Sequence, residues 1–157
     1  MNPNVEERLA RLEAVEQIRA LKMNYARLCD AGYPISELAR IFAANAIWDG
    51  GKAFGRYEGW PEIQEFFSNA IRRIEWAMHY TVAGDINLGE DRRTATGTWY
   101  LWQPMTLDDT PVWLMGRYQD EYVNVDDRWI YTSLILDVQT VTPIDKGWVT
   151  ERFAAAG

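Results

Sequence analysis

Four long strand-like segments fill the second half of the chain, and they limit the possible folds more than any other feature. Each is rich in β-branched and aromatic residues, and they run from Ala77 to Leu88, Thr94 to Gln103, Pro111 to Val125 and Trp129 to Thr142. Short stretches of turn-forming residues separate them, including Gly89-Glu90-Asp91 and Asp126-Asp127. Tight turns between strands favour antiparallel pairing, so we expect one antiparallel sheet here.

The first half of the chain has helical spacing instead. Apolar residues recur every three or four positions at Val5, Leu9, Leu12, Val15, Ile18, Leu21, Tyr25 and Leu28. Asn4 is placed to cap this helix, which should end between Asp30 and Gly32. Further helices are expected over 35–42 and from Pro61, with short strands at 45–49 and 54–57. Three helices against a curved sheet predict an α+β domain with a cone-shaped hollow.

Length and charge narrow the class of protein. The 157 residues fit one domain spanning 1–157. Its core should cover about 8–142, leaving a C-terminal tail, 143–157, that is mobile or packs on a neighbour. The net charge of −7 argues against nucleic acid and anionic membranes as partners. The N-terminus lacks the apolar core of a signal peptide, so we expect a cytoplasmic protein.

Metal and cofactor sites have little support in the residue types present. Cys29 is the only cysteine and His79 the only histidine, so a site for a soft metal would lack ligands. No glycine-rich loop has the setting of a phosphate-binding motif. We therefore expect no metal and no cofactor.

Aromatic residues are unusually abundant, with 8 Trp, 8 Tyr and 5 Phe. They are consistent with an aromatic core and oligomer interface. They are equally consistent with a deep pocket for a flat apolar ligand, which Trp48, Trp99 and Trp113 would line. Composition leaves both interpretations open.

Two residues are candidates for acid–base chemistry. His79 has the only side chain that ordinarily titrates near neutral pH. Asp30 ends the first helix, where a carboxylate is unfavourable because the last carbonyls already carry partial negative charge. A carboxylate that orients an imidazole would explain this placement. A structural histidine and an ordinary turn aspartate would fit the same pattern.

Further polar candidates flank this pair. Tyr25 lies five positions before Asp30, so the two side chains would border one cavity, and its hydroxyl could donate to a leaving oxygen. By the two-residue period of a strand, Tyr131, Ser133 and Asp137 share one face and would reach into the cone. Tyr25 is equally compatible with a core tyrosine, and Asp137 with an exposed strand end.

Several segments together carry a resemblance over residues 8–142: IRALKMNYARLCDAG, WDGGKAFGRYEGWPEIQEFF, AMHYTVAG, ATGTWYLWQP and GRYQDEYVNVDDRWIYTSL. In this order and spacing they resemble the SnoaL-like branch of the NTF2-like superfamily. The similarity is to the group of scytalone dehydratase, bile-acid 7α-dehydratase and lindane dehydrochlorinase.

The resemblance implies a cone-shaped barrel and cofactor-free elimination, with an Asp at the end of the first helix paired to a catalytic His. Asp30 and His79 stand at those positions. Tyr25 matches a tyrosine of the bile-acid enzymes, where the dehydrochlorinase has a lysine, which favours loss of oxygen over chloride. The bile-acid enzymes' acidic strand residue has no counterpart among 100–103, and Ser133 stands near an arginine of the dehydrochlorinase.

The leading hypothesis is a lyase that acts on an aromatic or polycyclic small molecule by dehydration or retro-aldol loss of a small aldehyde. A ketosteroid-type isomerase is a close variant that would normally use an Asp base. The sequence is also compatible with a non-catalytic ligand-binding or accessory subunit, and with a pure assembly module. A homo-oligomer, dimer or trimer, is expected.

Overall fold

The protein is described by a computed structural model over residues 4–154, apart from the side chain of Ala83. Its helices are α1 Val5–Asp30, α2 Ile35–Leu38, α3 Gly51–Phe54, α4 Trp60–Ala70 and α5 Gly147–Thr150. Its strands are β1 Phe42–Asp49, β2 Arg56–Glu58, β3 Ile74–Ala77, β4 Tyr80–Leu88, β5 Thr94–Leu107, β6 Thr110–Val125 and β7 Arg128–Pro143.

The seven strands form one mixed sheet in the order β2-β1-β7-β6-β5-β3, with β4 also pairing along β5. All pairs are antiparallel except β1 with β7, which are parallel. The sheet therefore departs from the expected antiparallel pairing at one place. There β1, which comes from the first half of the chain, lies parallel to the last strand. Helices α1 and α4 pack against the sheet, and the buried aromatic core lies between the layers.

The long helix α1 begins as expected, since the Asn4 side chain accepts a hydrogen bond from the Glu7 N–H at 2.8 Å. Its buried residues begin only at Ile18. Val5, Leu9 and Leu12, expected on the apolar face, are 76%, 53% and 68% exposed. The first turns of α1 therefore lie outside the packed core, next to the end of β4.

The expected strand from Ala77 is in fact two strands, with Met78 and His79 between β3 and β4. Pro104, expected to end β5, lies within it and accepts a hydrogen bond from the Met78 N–H. A residue's nitrogen and carbonyl point to the same edge of a strand. The nitrogen of Pro104, which carries no hydrogen, therefore faces the gap between β3 and β4. No hydrogen bond of the sheet is lost there.

A β-bulge at Thr132 changes which residues of β7 face inward. Tyr131 pairs with Tyr122 and Ser133 with Glu121, so Thr132 is an extra residue in the ladder. Beyond it the inward positions are Leu134 and Leu136, which are 0% and 5% exposed. The expected common face of Tyr131, Ser133 and Asp137 is therefore wrong.

The C-terminal segment packs on its own domain as far as it is described. Helix α5 leads into a short parallel bridge between Phe153 and Val141 of β7, and the Thr140 hydroxyl donates to the Arg152 carbonyl. Residues 155–157 of the expected tail lie outside the described part. No helix within 4–154 is long and apolar enough to cross a membrane.

Candidate active site

His79 and Asp30 lie together. The ring Nδ1 of His79 is 2.6 Å from Asp30 Oδ1. The backbone N–H of His79 also donates to this carboxylate, at 3.1 Å to Oδ1 and 3.2 Å to Oδ2. The His79 side chain is only 6% exposed, whereas that of Asp30 is 30% exposed. The pair therefore has the imidazole on its inner side and the carboxylate toward its rim.

Local backbone features place both members. The interruption between β3 and β4 frees the His79 N–H from the sheet, so that it can donate to a side chain. At the end of α1, that N–H and the ring Nδ1 compensate the Asp30 carboxylate for its unfavourable position next to the last helical carbonyls. In a neutral imidazole, a proton on Nδ1 that donates to Asp30 leaves Nε2 with the free lone pair.

Tyr25 is buried one helical turn before Cys29, and it lines the same small cavity as His79. Its hydroxyl accepts a hydrogen bond from Trp48 Nε1 at 3.0 Å, which leaves the phenolic proton available for another acceptor. Burial holds the pKa of Tyr25 well above its usual range. The group is therefore a protonated donor at neutral pH.

His79 opens on a small cavity, which we call the hollow. Its volume is about 30 Å³, enough for about one or two water molecules. Aromatic rings and polar tips surround it: Tyr25, Cys29, Tyr33, Trp48, Phe54, Phe66, Phe67, Ile74, His79, Gln103, Leu114, Tyr118 and Leu136. The hollow as it stands admits a leaving hydroxyl or a carbonyl oxygen but not an aromatic ring.

A much larger cavity, the outer cleft, has a volume of about 960 Å³, within the range of ligand pockets. It lies between α3, the β5–β6 turn, the free edge of β7 and the C-terminal segment. Phe54 and Leu136 line both the hollow and the outer cleft. These two side chains are therefore the shared wall between the cavities.

The other residues predicted to bind substrate are dispersed. Trp48 lines the hollow. Trp99 faces inward but is bonded through Nε1 to the Tyr122 hydroxyl at 3.1 Å, away from the hollow's lining. Tyr131 is fully buried core. Trp113 lies on the outer face of the sheet and stacks on Trp102, so its predicted place in the cavity is wrong.

Ser133 and Asp137 also lie apart from the hollow. Ser133 is buried at the Thr132 bulge and is absent from the hollow's lining. The Asp137 side chain is 42% exposed and pairs with Arg117 at 3.1 Å. Because the bulge reverses the strand's parity, Asp137 lines the outer cleft instead.

Sequence reasoning missed three polar residues of the hollow: Tyr33, Gln103 and Tyr118. Gln103 and Tyr118 lie at positions of β5 and β6 whose side chains point toward the core. The two-residue period of a strand could have identified them, once it was known which face of β5 or β6 is buried. Tyr33 follows α1 with a left-handed φ of 61°, which is uncommon for a bulky residue. This backbone turns its ring inward, where it stacks on Phe67.

Residues 4–154 contain no group of three or more His, Cys, Asp or Glu side chains arranged to hold a metal ion. Cys29, the one thiol at the hollow, is buried, and burial raises its pKa to about 12. The chemistry available here is therefore that of one imidazole, one carboxylate and several neutral hydroxyls.

Residues 10–134 match the SnoaL-like domain. No curated protein is detectably similar in sequence. Among solved structures, LinA has a TM-score of 0.79 at 18% identity, covering 94% of this chain and 98% of LinA. The hexachlorocyclohexane dehydrochlorinase LinA-type3 from Novosphingobium barchaimii LL02 has a TM-score of 0.77 at 20% identity, covering 87% of this chain and 93% of that one.

A candidate scytalone dehydratase from Novosphingobium aromaticivorans DSM 12444 has a TM-score of 0.77 at 18% identity, covering 85% of this chain and 89% of that one. At such low identities these likenesses show a shared fold. They confirm the predicted α+β cone.

Proposed function

The chain belongs to the SnoaL-like domain family, and on that premise we propose that it is a lyase in which His79 acts as the base. The observation that carries the proposal is the buried His79 ring, 2.6 Å from the Asp30 carboxylate and open to a hollow lined with hydroxyls. Dehydratases and dehydrochlorinases share the fold, which supports elimination as the class of reaction.

The proposed reaction is a dehydration that needs no cofactor. Nε2 of His79 takes a proton from the carbon next to a carbonyl, and the imidazolium is stabilised by Asp30. The electron pair of the broken C–H bond passes through an enolate and forms the C=C bond as the C–O bond breaks. The departing hydroxide takes the proton back from His79 and leaves as water. Tyr25 donates a hydrogen bond to the departing oxygen.

The substrate proposed is an aromatic or polycyclic molecule that occupies both cavities. The outer cleft is large enough for its ring system, whereas the hollow receives the reacting group. Phe54 must turn aside to join the two. Helix α3 is flanked by Gly50 and Gly55, and the left-handed φ of 85° at Gly55 shows a backbone that suits glycine. Because the backbone of a glycine changes conformation at little steric cost, Gly50 and Gly55 would let Phe54 move together with its short helix.

Copies of the chain are proposed to assemble through the outer face of the sheet, as a dimer or trimer. Apolar side chains are exposed there on adjacent strands: Trp76, Tyr80, Val82, Tyr100 and Trp102 are 43–57% exposed. Tyr80, Trp102 and Trp113 form a continuous stack with centroid separations of 5.3 Å. Contiguous apolar surface of this kind is typical of interfaces.

A non-catalytic ligand-binding role is the second candidate, and it is favoured because His79 does not line the outer cleft, the cavity that is large enough for a ligand. The experiment that separates the two is a screen of aromatic β-hydroxy carbonyl compounds for new ultraviolet absorbance, because elimination extends conjugation. Replacement of His79 by Ala should lower turnover by roughly 10²–10⁴-fold with the melting temperature retained. Unchanged turnover in His79→Ala would rule out the mechanism.

A further inference from the structure

Beneath the hollow lies a fully buried ion pair that the proposed chemistry does not use. The side chains of Lys22 in α1 and Asp120 in β6 are both 0% exposed, and Nζ lies 2.8 Å from Oδ2. The Tyr122 hydroxyl also donates a hydrogen bond to Asp120 Oδ2, at 2.8 Å. Trp99 Nε1 in turn donates to the Tyr122 hydroxyl. A buried pair is often replaceable by apolar residues without loss of stability, so its presence calls for a further explanation.

The Lys22 ammonium sits on the face of Tyr118. Nζ is 3.3 Å from the centre of that ring, against 5.3 Å for Tyr25 and 5.9 Å for Tyr131. A cation over a ring face is held by the negative charge of the π system. Tyr118 and Tyr25 both line the hollow. The positive charge therefore lies directly behind the hollow's wall.

Tyr118 is the group through which this charge can act. Its hydroxyl has no hydrogen bond to any residue of the described range 4–154, and burial raises its pKa, so it remains a donor. Neither lysine nor arginine is among the described residues that line the hollow. A negative charge that develops there has hydroxyl donors but no cation in direct contact.

We propose that Tyr118 donates a hydrogen bond to the enolate oxygen formed when His79 removes the proton, and that Lys22 is a positioning residue that polarises Tyr118 through its ring. The inference rests on the proposed function. No proton leaves Tyr118: the electron pair of the C–H bond moves onto the enolate and then expels the hydroxide. Stabilising charge at the place where it develops is a large contribution to catalysis.

The test uses 2-naphthol, whose ionised form resembles an aromatic enolate and is distinguished from the neutral form by its absorbance. Naphthalene serves as the matched ligand without the oxygen. The variants are Tyr118→Phe and the double replacement Lys22→Met/Asp120→Leu, which leaves no unpaired buried charge. We expect each to bind the ionised naphthol roughly tenfold more weakly than wild type, with naphthalene binding unchanged.

Two results would overturn the inference, and they differ in what else they affect. If the double variant binds ionised naphthol as tightly as wild type, Lys22 has no polarising role, while the proposed lyase stands. If wild type binds neither probe and the NMR signals of His79 do not move, the proposed function falls and the inference falls with it. Should the double variant fail to fold, Lys22→Gln/Asp120→Asn provides the same comparison with a neutral polar pair.

Discussion

The Asp30 carboxylate accepts hydrogen bonds from both the ring Nδ1 and the backbone N–H of His79. One acid thus fixes the tautomer of the imidazole and the path of the chain that carries it. The backbone bond matters because it limits how any substitute for the carboxylate can be oriented.

Replacement of Asp30 by Asn should weaken the base while the position of His79 is kept. A carboxamide oxygen at the Oδ1 position can still accept hydrogen bonds from Nδ1 and from the backbone N–H of His79, but without the negative charge it holds the Nδ1–H tautomer less firmly and stabilises the imidazolium less. With a single histidine in the chain, ¹⁵N labelling of histidine gives one imidazole to observe. We expect turnover to fall roughly 10²–10⁴-fold.

The matched control is Asp126→Asn, which changes an exposed carboxylate in the β6–β7 turn that lines neither the hollow nor the outer cleft. Its nitrogen shifts and turnover should equal those of wild type. If the nitrogen shifts and the turnover of Asp30→Asn both equal those of wild type, the charge of the carboxylate does not support the base.

Removal of the Phe54 side chain should open the hollow to the outer cleft. Cys29 lines the hollow and is 4% exposed, so its reaction with a small mercurial reports access without any knowledge of the substrate. We expect Phe54→Ala to react at least about tenfold faster than wild type, because a whole aromatic ring is removed from the shared wall.

Phe153→Ala is the control for this experiment, since Phe153 lines the outer cleft but not the hollow. Its reaction rate should stay at the wild-type value. Equal rates in Phe54→Ala and wild type would mean that Phe54 is not the barrier, and the route to His79 would have to be sought elsewhere.

A charge in the outer aromatic surface should dissociate the proposed oligomer. Trp102 lies at the centre of the stack with Tyr80 and Trp113, and it is 45% exposed. Replacement by Glu would place a desolvated carboxylate in the interface. Light scattering coupled to size exclusion should show wild type at two or three times the chain mass and Trp102→Glu at one. A monomeric wild type contradicts the proposal.

The parts of this molecule that sequence predicts well are those set by local rules. The cap at Asn4, the start of α4 at Pro61 and the four strand-rich segments follow from short-range chemistry and residue period. The pairing of Asp30 with His79 follows from an unfavourable charge at a helix end together with the family resemblance. The two residues are more than 40 positions apart in the sequence, so spacing alone could not have predicted their contact.

What sequence could not supply were single-residue irregularities and long-range contacts. One extra residue at Thr132 reverses the facing of β7 from Leu134 until a second bulge at Gln139, and this places Asp137 outside the hollow. Lys22 lies in the buried stripe of α1, four positions after Ile18 and three before Tyr25, and its charge is paired with Asp120 of the sheet. The bulge leaves no mark in the local pattern, and the partner of Lys22 lies 98 positions away along the chain.

Alkaline pH should destabilise the protein through its buried tyrosines. Burial raises the pKa of Tyr25, Tyr33, Tyr118, Tyr122 and Tyr131. In the unfolded chain a tyrosine ionises at about pH 10. A folded-state pKa above the unfolded value gives stability that is present below pH about 10 and is lost as pH rises toward the folded value, because only the unfolded state releases protons.

The free energy of unfolding in denaturant should therefore fall steeply above pH about 10, with a slope that reflects several protons. Phenolate absorbance from these five tyrosines should appear only together with unfolding. Tyr131→Phe removes one of the ionisable hydroxyls and should make the decline shallower by one proton. If all eight tyrosines ionise while the fold is retained, water reaches the rings that the structure buries, and the dry hollow on which the proposed chemistry depends does not exist.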